Sequence, residues 1–428
     1  MNETVIGFAG LTHLGIISSV AAAAKGYHVI GFHDDSEVIS KLNKGDSPVQ
    51  EPQLNELFLE NKERITFSAD AADLSKCQIV YVSIDIPTNE KGESDLNPIQ
   101  KIIGQVSKVL NPDACLVILS QVFPGFTRQI ALDHRRLFYQ VETLIFGRAV
   151  ERAMYPERFI VGCDNPSLPL PEHLNKFLNA FNCPILPMRY ESAELAKISI
   201  NICLVASISA ANTLAEICAQ IDADWSEIIP ALRLDRRIGQ YSYIVPGLGI
   251  SGGNLERDLQ SVLRLSEKHN TDGGVISSWL NNSQRRKNWP FKIITETVLT
   301  QNPNATIAVL GLAYKENTHS TKNSPALLLI EQLPYCKIKA YDPVVDACVA
   351  GKHVSGATSA TEAAHGADAV AIMTPWPEFR DISPAQLAAT MRGRTIIDPY
   401  GMLDTQKVRS AGLDYFTLAK SPKLANIT

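Results

Sequence analysis

The sequence predicts an α/β protein built from two Rossmann-like doubly wound domains that are joined by a long central helix. Near both ends of the chain, a buried strand, a glycine turn, a helix, a second strand and an acidic residue follow one another. This order is the β-α-β unit of a doubly wound sheet. Between the two copies, residues 191–219 contain neither Pro nor Gly, which favours one continuous helix.

The elements of both copies are apolar segments bounded by turn residues. In chain order they are the strand Val5–Ala9, the turn at Gly10, an apolar helix and the strand at 27–32, and then the strand Thr306–Leu310, the turn at Gly311, the helix at 324–332 and the strand Lys337–Tyr341. Further buried strands, rich in β-branched residues, are predicted at 79–84, 116–119, 369–373 and 395–397.

The predicted central helix is apolar or small on nearly all of its faces. Such a helix must be covered on most sides. We therefore expect it to form the spine between the domains and the contact surface of a homodimer.

The composition is that of an ordinary soluble protein, with 45% hydrophobic residues, 20% charged residues and a formal net charge of -5. A chain of 428 residues is too long for one hydrophobic core and suits several domains. The basic excess that nucleic-acid binding requires is missing, so no nucleic-acid partner is expected.

The eight cysteines form neither a CxxC pair nor a zinc-ligand spacing, so no metal site is expected. We predict that they are reduced thiols in the core, Cys203 included. Residues 5–24 are nearly free of charge, but Gly7, Gly10 and Gly15 interrupt them, which favours a buried strand, turn and helix over a membrane span. No later segment is expected to cross a membrane, and the predicted location is the cytoplasm.

Five segments carry a family resemblance by their order and spacing. They are residues 43–52 (NKGDSPVQEP), 155–162 (YPERFIVG), 194–197 (ELAK) with Asn201, 235–239 (DRRIG) and 311–315 (GLAYK). Together they resemble the UDP-glucose and GDP-mannose dehydrogenase family over nearly the whole chain. The resemblance implies an NAD-binding domain at residues 1–190, a helical dimerisation domain at 191–290 and a nucleotide-sugar-binding domain at 291–428.

Members of that family bind NAD at the first glycine turn, where a pyrophosphate lies at a helix N-terminus. Here Thr12 replaces the middle glycine, and His33 stands where an acid usually binds the ribose, although the adjacent Asp34 could take its place. Taken alone, the turn is equally consistent with a structural strand-helix junction. The resemblance implies a cofactor set of Gly10, Thr12, His13, Leu14, His33, Asp34, Pro87, Thr88, Gln121 and Lys322. Because Asp34 and Asp35 would repel a 2'-phosphate, we expect NADH to be preferred over NADPH.

The predicted catalytic residues begin with Lys197 and Asn201, which leave the same face of the central helix. In the family, the matching pair stabilises an oxyanion at C6 of the sugar and orders a water. Glu142 matches a glutamate that activates water, and Asp258 matches a general base. The alternative interpretations are a lysine that lies along the helix surface and an ordinary solvated glutamate.

The main departure from the family lies at residues 249–258, which align without a gap with the motif GxGGxCFPKD. Asn254 stands in place of the nucleophilic cysteine and Arg257 in place of the lysine. An amide cannot form the thiohemiacetal from which the second hydride leaves. The substrate-binding residues that the resemblance implies are Arg237, Gly249, Gly252, Tyr314 and Lys315. Lys322 and Asn323 replace an arginine and a glutamate in a neighbouring binding loop.

The sequence therefore predicts an NAD-dependent oxidoreductase that oxidises the C6 primary alcohol of a nucleotide sugar or a related phosphorylated substrate. Without a thiol, the reaction either stops at the aldehyde or continues through the aldehyde hydrate. The alternative is an inactive paralogue that binds a nucleotide sugar or a partner without turnover.

Overall fold

A computed structural model describes residues 4–89, 93–418 and 420. The chain divides into two compact units, Met1–Ile200 and Asn201–Thr428. Each unit holds one Rossmann-like sheet, and a single helix of 29 residues, Tyr190–Cys218, runs through the boundary. The predicted fold class is confirmed, whereas the three domain boundaries stay a prediction.

The first unit is an eight-stranded sheet with helices on both faces. Its strands are β1 Val5–Ala9, β2 His28–Phe32, β3 Ile65–Ser68, β4 Ile79–Val82, β5 Cys115–Ile118, β6 Leu137–Gln140, β7 Phe159–Cys163 and β8 Ile185–Arg189. Its helices are α1 His13–Ala24, α2 Ser36–Asn43, α3 Leu54–Asn61, α4 Asn97–Val109, α5 Ala149–Met154 and α6 Glu172–Asn179, and α7 is Tyr190–Cys218. The strand order is β3-β2-β1-β4-β5-β6-β7-β8, and β7 pairs with β6 antiparallel whereas every other pairing is parallel.

The second unit contains a six-stranded parallel sheet in the order β11-β10-β9-β12-β13-β14. Its strands are β9 Thr306–Leu310, β10 Lys337–Tyr341, β11 Val354–Gly356, β12 Ala369–Ile372, β13 Thr395–Ile397 and β14 Asp414–Phe416. Its helices are α8 Trp225–Leu234, α9 Asn254–His269, α10 Gly274–Lys287, α11 Trp289–Ile294, α12 Pro325–Glu331, α13 Ala360–Ala364, α14 Pro384–Thr390 and α15 Thr405–Ser410. A π-helical turn, Thr295–Leu299, extends α11.

The strand order of each sheet reverses between two central strands, β1 and β4 in the first sheet and β9 and β12 in the second. Ligands of doubly wound sheets bind beside such reversals, at the carboxyl ends of the strands. The central strands are buried on both faces by the helices, which is why they are continuous apolar runs. Their observed bounds lie within two residues of the predicted ones.

Two expectations about apolar residues are wrong. No segment after residue 24 is expected to be able to cross a membrane, but α7 is long and apolar enough to do so by length and composition. In the structure, 33% of its most apolar window is buried. A helix that packs in a protein core passes the same test, because both environments select apolar residues. Cys203 lies on an exposed face of α7 and Cys348 is exposed as well, so neither is a core thiol.

In the first glycine turn, the backbone at the start of α1 lies very close to the backbone at the end of β1. Gly10 has a φ of 100°, which L side chains rarely adopt. Gly15 lies in the first turn of α1, and a Cβ atom there would stand 1.9 Å from the carbonyl oxygen of Gly10. Only glycine at both positions allows β1 to pass directly into α1.

Replacement of Gly15 by Ala tests this contact. We expect Gly15→Ala to lower the free energy of unfolding by about 3 kcal/mol, because the backbone must shift to remove the overlap. The matched control is Gly104→Ala on the exposed face of α4, where an added Cβ meets no atom within 4 Å. This control should stabilise the protein by up to about 1 kcal/mol. Urea denaturation of both variants measures the difference, and equal stabilities would contradict the close approach.

Candidate active site

The glycine turn of the first unit is joined to the segment that follows β4. The backbone N–H of Asp85 donates to Thr12 Oγ1 at 2.9 Å, and the N–H of Leu14 donates to Asp85 Oδ2 at 3.2 Å. Thr12 precedes α1 and its side chain does not cap the helix. The carboxylate of Asp85 therefore accepts from a free amide at the N-terminus of α1. Sequence reasoning missed Asp85, because the contact joins two distant segments.

His13, the first residue of α1, is held by a buried glutamate. Its Nε2 atom lies 2.9 Å from Glu51 Oε1, and its ring centroid lies 4.3 Å from that of Phe146. Glu51 also accepts from the N–H groups of Gly147 at 3.0 Å and Ala149 at 3.2 Å. Glu51 belongs to the segment at 43–52 that carries the family resemblance, so that motif could have pointed to it. The Glu51 carboxylate thereby holds the segment at 43–52 beside the glycine turn.

A cavity of about 140 Å³ beside the turn is lined by Gly10, His33, Asp34 and Lys101, among others. Lys101 Nζ lies 2.5 Å from Asp34 Oδ2, and the hydrogen bond from this ammonium lowers the pKa of Asp34. The missing side chain at Gly10 and the polar groups of His33 and Asp34 within a mainly apolar lining fit the ribose end of a dinucleotide. Lys101 was not predicted, and its charge weakens the argument from Asp34 for a preference for NADH, which stays a prediction.

The other predicted cofactor residues of the first unit follow β4 and β5. The Pro87 carbonyl accepts from the N–H of Asp95, and Thr88 forms an isolated antiparallel bridge with Ser94. Ser120 and Gln121 come directly after β5. The hydroxyl group of Ser120 donates to the backbone carbonyl of Ile84, in the segment after β4. Because β1, β4 and β5 are parallel neighbours, these segments leave the sheet at the same edge as the glycine turn.

Lys197 is a partly buried cation with a partner. Its Nζ donates to the backbone carbonyl of Glu142 at 2.8 Å and to Glu142 Oε2 at 3.2 Å. The side chains of Lys197 and Glu142 are only 13% and 18% exposed. A lysine that lies along a helix surface would extend its ammonium into water. The two residues predicted separately as catalytic are therefore brought together.

Glu194 lies fully buried one turn before Lys197 on α7. Its carboxylate accepts from the N–H of Gly125 at 2.5 Å and from the N–H of Thr127 at 2.9 Å. Burial raises the pKa of Glu194, and the hydrogen bonds from the two backbone amides oppose that shift. Glu194 thereby fixes the loop after Ser120 and Gln121 against α7.

In the second unit, Asn201 is bonded to Asp258. Asn201 Nδ2 donates to Asp258 Oδ2 at 2.6 Å, and Arg257 Nε donates to Asp258 Oδ1 at 3.2 Å. Asp258 is 1% exposed. The carboxylate predicted as a general base is thus buried and held in one orientation by an amide and a guanidinium group.

The glycine loop before α9 is packed tightly. Gly249 has a φ of 79°, and a Cβ atom there would lie 2.5 Å from the carbonyl oxygen of Ser283. Gly252 has a φ of 74° and supports the ring of Tyr314, which an added Cβ would meet at 2.9 Å. Asn254 is the first residue of α9 and is exposed. The loop therefore leads into an exposed amide side chain at the N-terminus of α9.

A buried lysine is hydrogen-bonded to Asn323, one of the departures from the family motifs. Lys287 is 5% exposed and donates to Asn323 Oδ1 at 2.5 Å, while Asn323 Nδ2 donates to Glu256 Oε2. Burial lowers the pKa of Lys287, and the charge of Glu256 opposes that shift. Asn323 therefore links the buried ammonium group to a carboxylate in α9. The Lys322 carbonyl accepts from the N–H of Gly252 at 3.1 Å, so Lys322 lies beside the glycine loop.

The remaining predicted substrate residues of the second unit differ in exposure. The Arg237 side chain is 89% exposed and pairs with Asp235 through two nitrogen atoms. Lys315 Nζ lies 5.7 Å from the centroid of the Tyr314 ring. Tyr314 is bonded to the glycine loop through its carbonyl, which accepts from Ser251 Oγ at 3.3 Å.

Three family models match the chain in order. The NAD binding domain of the UDP-glucose/GDP-mannose dehydrogenase family matches residues 4–177, the central domain matches 191–284 and the UDP binding domain matches 308–405. The cofactor is therefore NAD, and the substrate class is nucleotide sugars.

Curated relatives match over almost their whole length. The chain is 27% identical to a UDP-glucose 6-dehydrogenase of Rickettsia typhi, with 96% of this chain and 99% of the relative covered. It is 28% identical to a UDP-glucose 6-dehydrogenase of Bacillus subtilis, with 97% and 93% covered.

Solved structures share the fold. The UDP-D-ManNAc dehydrogenase of Pyrococcus horikoshii has a TM-score of 0.84 at 24% identity, with 97% of this chain and 99% of that chain covered. A UDP-glucose dehydrogenase of Pyrobaculum islandicum has a TM-score of 0.83 at 22% identity, with 96% and 97% covered. The motifs, the three matched domains and the shared fold agree, and the chain belongs to the UDP-glucose/GDP-mannose dehydrogenase family.

Proposed function

We propose that the protein oxidises the C6 primary alcohol of a nucleotide sugar, or of a related phosphorylated substrate, in the cytoplasm. The observation that carries this proposal is the ion pair between Lys197 and Glu142, because a cation held away from water is suited to stabilise negative charge on a reacting oxygen. Bound NAD supplies the acceptor for the hydride.

Each predicted catalytic residue has a role in this proposal. Asp258 accepts the proton of the C6 hydroxyl group, and Lys197 stabilises the negative charge that develops on that oxygen. Asn201 keeps the Asp258 carboxylate in orientation through its amide. Glu142 holds Lys197 and acts as the base for a water molecule. Gly249, Gly252, Tyr314, Lys315 and Arg237 bind the nucleotide sugar.

Asn254 determines how far the oxidation proceeds. An amide forms no covalent adduct with the aldehyde, so we propose that the protein releases the aldehyde after one hydride transfer. The competing route oxidises the hydrated aldehyde, with Asp258, Lys197 and Asn254 positioning the diol. Both routes use only groups that the chain retains.

The second candidate function is binding of a nucleotide sugar or a partner without turnover. It is favoured by Thr12 and Asp85 at the glycine turn and by Asn254 at the nucleophile position. Against it stand two hydrogen-bonded pairs that are at least partly buried, Lys197 with Glu142 and Asn201 with Asp258. Reduction of NAD with a panel of UDP-, GDP- and CDP-sugars separates the two functions.

We also propose a homodimer that forms through α7. One side of this helix leaves apolar side chains in water, with Leu195 44% exposed, Leu214 46% and Ile217 48%. Burial of such a face in a symmetric contact removes apolar surface from water. The exposed Cys203 lies on the same helix.

Lys197 provides the first test of the catalytic roles. We expect Lys197→Ala to lower the turnover rate at least about 100-fold, because the charge at C6 loses its stabilising cation. Cofactor affinity should change little, since the role of Lys197 is confined to the reacting oxygen. Initial rates and NADH titration measure the two effects, and Lys108→Ala, an exposed helix lysine, is the control. Turnover within a few fold of the parent would contradict the assignment.

Asn254 provides the test of the reaction product. We expect Asn254→Cys to move the product from aldehyde toward carboxylate, because a thiol permits the thiohemiacetal and a second hydride transfer. The NADH formed per substrate then rises from about one toward two, or an acyl-enzyme accumulates and adds mass to the protein. Asn254→Ser is the matched control, since an unactivated hydroxyl is a weak nucleophile. A parent protein that already yields carboxylate would favour the hydrate route.

The homodimer is tested on α7 itself. Light scattering of the parent should give twice the chain mass, and the double variant Leu214→Glu with Ile217→Glu should be monomeric, because two buried charges per protomer oppose association. Tyr335→Glu, at a residue 81% exposed outside α7, is the control for added charge and should stay dimeric. A parent protein that is monomeric at micromolar concentration would contradict the proposed homodimer.

A further inference from the structure

The N-terminus of α1 already holds an anion of the chain itself. The carboxylate of Asp85 accepts a hydrogen bond from the N–H of Leu14 at 3.2 Å. Its backbone N–H is fixed to Thr12 Oγ1 at 2.9 Å, which brings the side chain over the helix end. In the described part of the chain, Asp85 forms no ion pair with a Lys, Arg or His side chain. The Leu14 amide is therefore the group with partial positive charge that its carboxylate contacts.

This position is where a dinucleotide pyrophosphate is bound in a Rossmann-like domain. The unpaired amides and the dipole of a helix N-terminus attract one anionic group, and a second negative charge beside the first is repelled. The turn otherwise has the features of a dinucleotide site, because Gly10 and Gly15 let β1 pass directly into α1 and the cavity at His33 and Asp34 lies beside it. Asp85 thus occupies the one part of the cofactor site that carries phosphate.

We propose that Asp85 is an internal competitor of the cofactor pyrophosphate and that it sets the affinity for NAD. This inference rests on cofactor binding at the first glycine turn. Binding of the cofactor requires the Asp85 carboxylate to leave the Leu14 amide, and its exposed side chain is free to rotate into solvent. Thr12 is the positioning residue, because its hydroxyl oxygen holds the Asp85 backbone over the helix end.

The geometry accounts for the replacement of the middle glycine of the turn. Glycine at position 12 would have no hydroxyl group to accept from the Asp85 amide. Thr12 and Asp85 therefore act as a pair, and each should influence cofactor affinity through the other. Their effects on cofactor affinity differ in origin, because Asp85 carries the negative charge that repels the pyrophosphate and Thr12 is neutral.

The test is a fluorescence titration with NADH, with ADP-ribose as a competitor that lacks the nicotinamide ring. Asp85→Asn removes the charge with little change of shape and should bind NADH at least about fivefold more tightly than the parent, which is the effect of about 1 kcal/mol for one charge contact in water. Asp85→Glu keeps the charge and should not tighten binding. Thr12→Gly releases the backbone of Asp85 and should tighten binding by a smaller factor.

Controls separate this effect from net charge and from misfolding. Asp113→Asn removes one exposed carboxylate elsewhere in the first unit and should bind like the parent. The advantage of Asp85→Asn should shrink at high salt, because exposed charges are screened. Thermal unfolding of each variant verifies that the fold is retained.

The outcomes are distinct. Tighter binding by Asp85→Asn alone among the charge variants supports the competition. Equal or weaker binding by Asp85→Asn overturns it and leaves cofactor binding at the turn intact. Absence of NADH binding in the parent and in every variant would overturn both the competition and the use of NAD at this turn.

Discussion

The burial of charged and polar groups along α7 determines how the surrounding loops are arranged. A buried charge is tolerated only where a partner satisfies it. Glu194, Lys197 and Asn201 occur at successive turns of the helix, and each has a partner at hydrogen-bond distance. Glu194 fixes the loop after β5, Lys197 fixes the segment after β6, and Asn201 fixes the start of α9. Within each unit, α7 thereby anchors neighbouring segments that contain residues of the proposed site.

The fold could be predicted because its signals are local. Apolar strands buried on both faces, glycine turns and a long stretch without Pro or Gly are visible in the sequence itself, and the strands at Thr306–Leu310, Lys337–Tyr341 and Thr395–Ile397 have the predicted bounds. Asp85 and Lys101 could not be predicted from any local pattern, since each acts through a residue at least 67 positions away. The exposure of Cys203 was missed because a helix rich in small residues does not show which of its faces is covered.

Two groups of residues near the candidate site are coupled through hydrogen bonds. Asn323 bonds both the buried ammonium group of Lys287 and the carboxylate of Glu256 in α9. Loss of the Glu256 charge would leave that ammonium group poorly compensated. Thr12 and Asp85 form a second coupled pair at the glycine turn. Contacts of this kind couple residues that lie far apart in the sequence.

The single antiparallel pairing, between β6 and β7, decides the direction in which the longest helix travels. Because β8 runs parallel to β7, the chain leaves β8 at the amino edge of the other strands, where Tyr190 donates to the carbonyl of Leu137 at the start of β6. Seven residues later along α7, a rise of about 10 Å, Lys197 meets Glu142 just beyond the end of β6. Had β7 and β8 followed the common direction, the helix would have started at the ligand-binding edge and carried its lysine away from it. The reversed direction of β7 and β8 thus places the ammonium group of Lys197 at the carboxyl edge of the sheet.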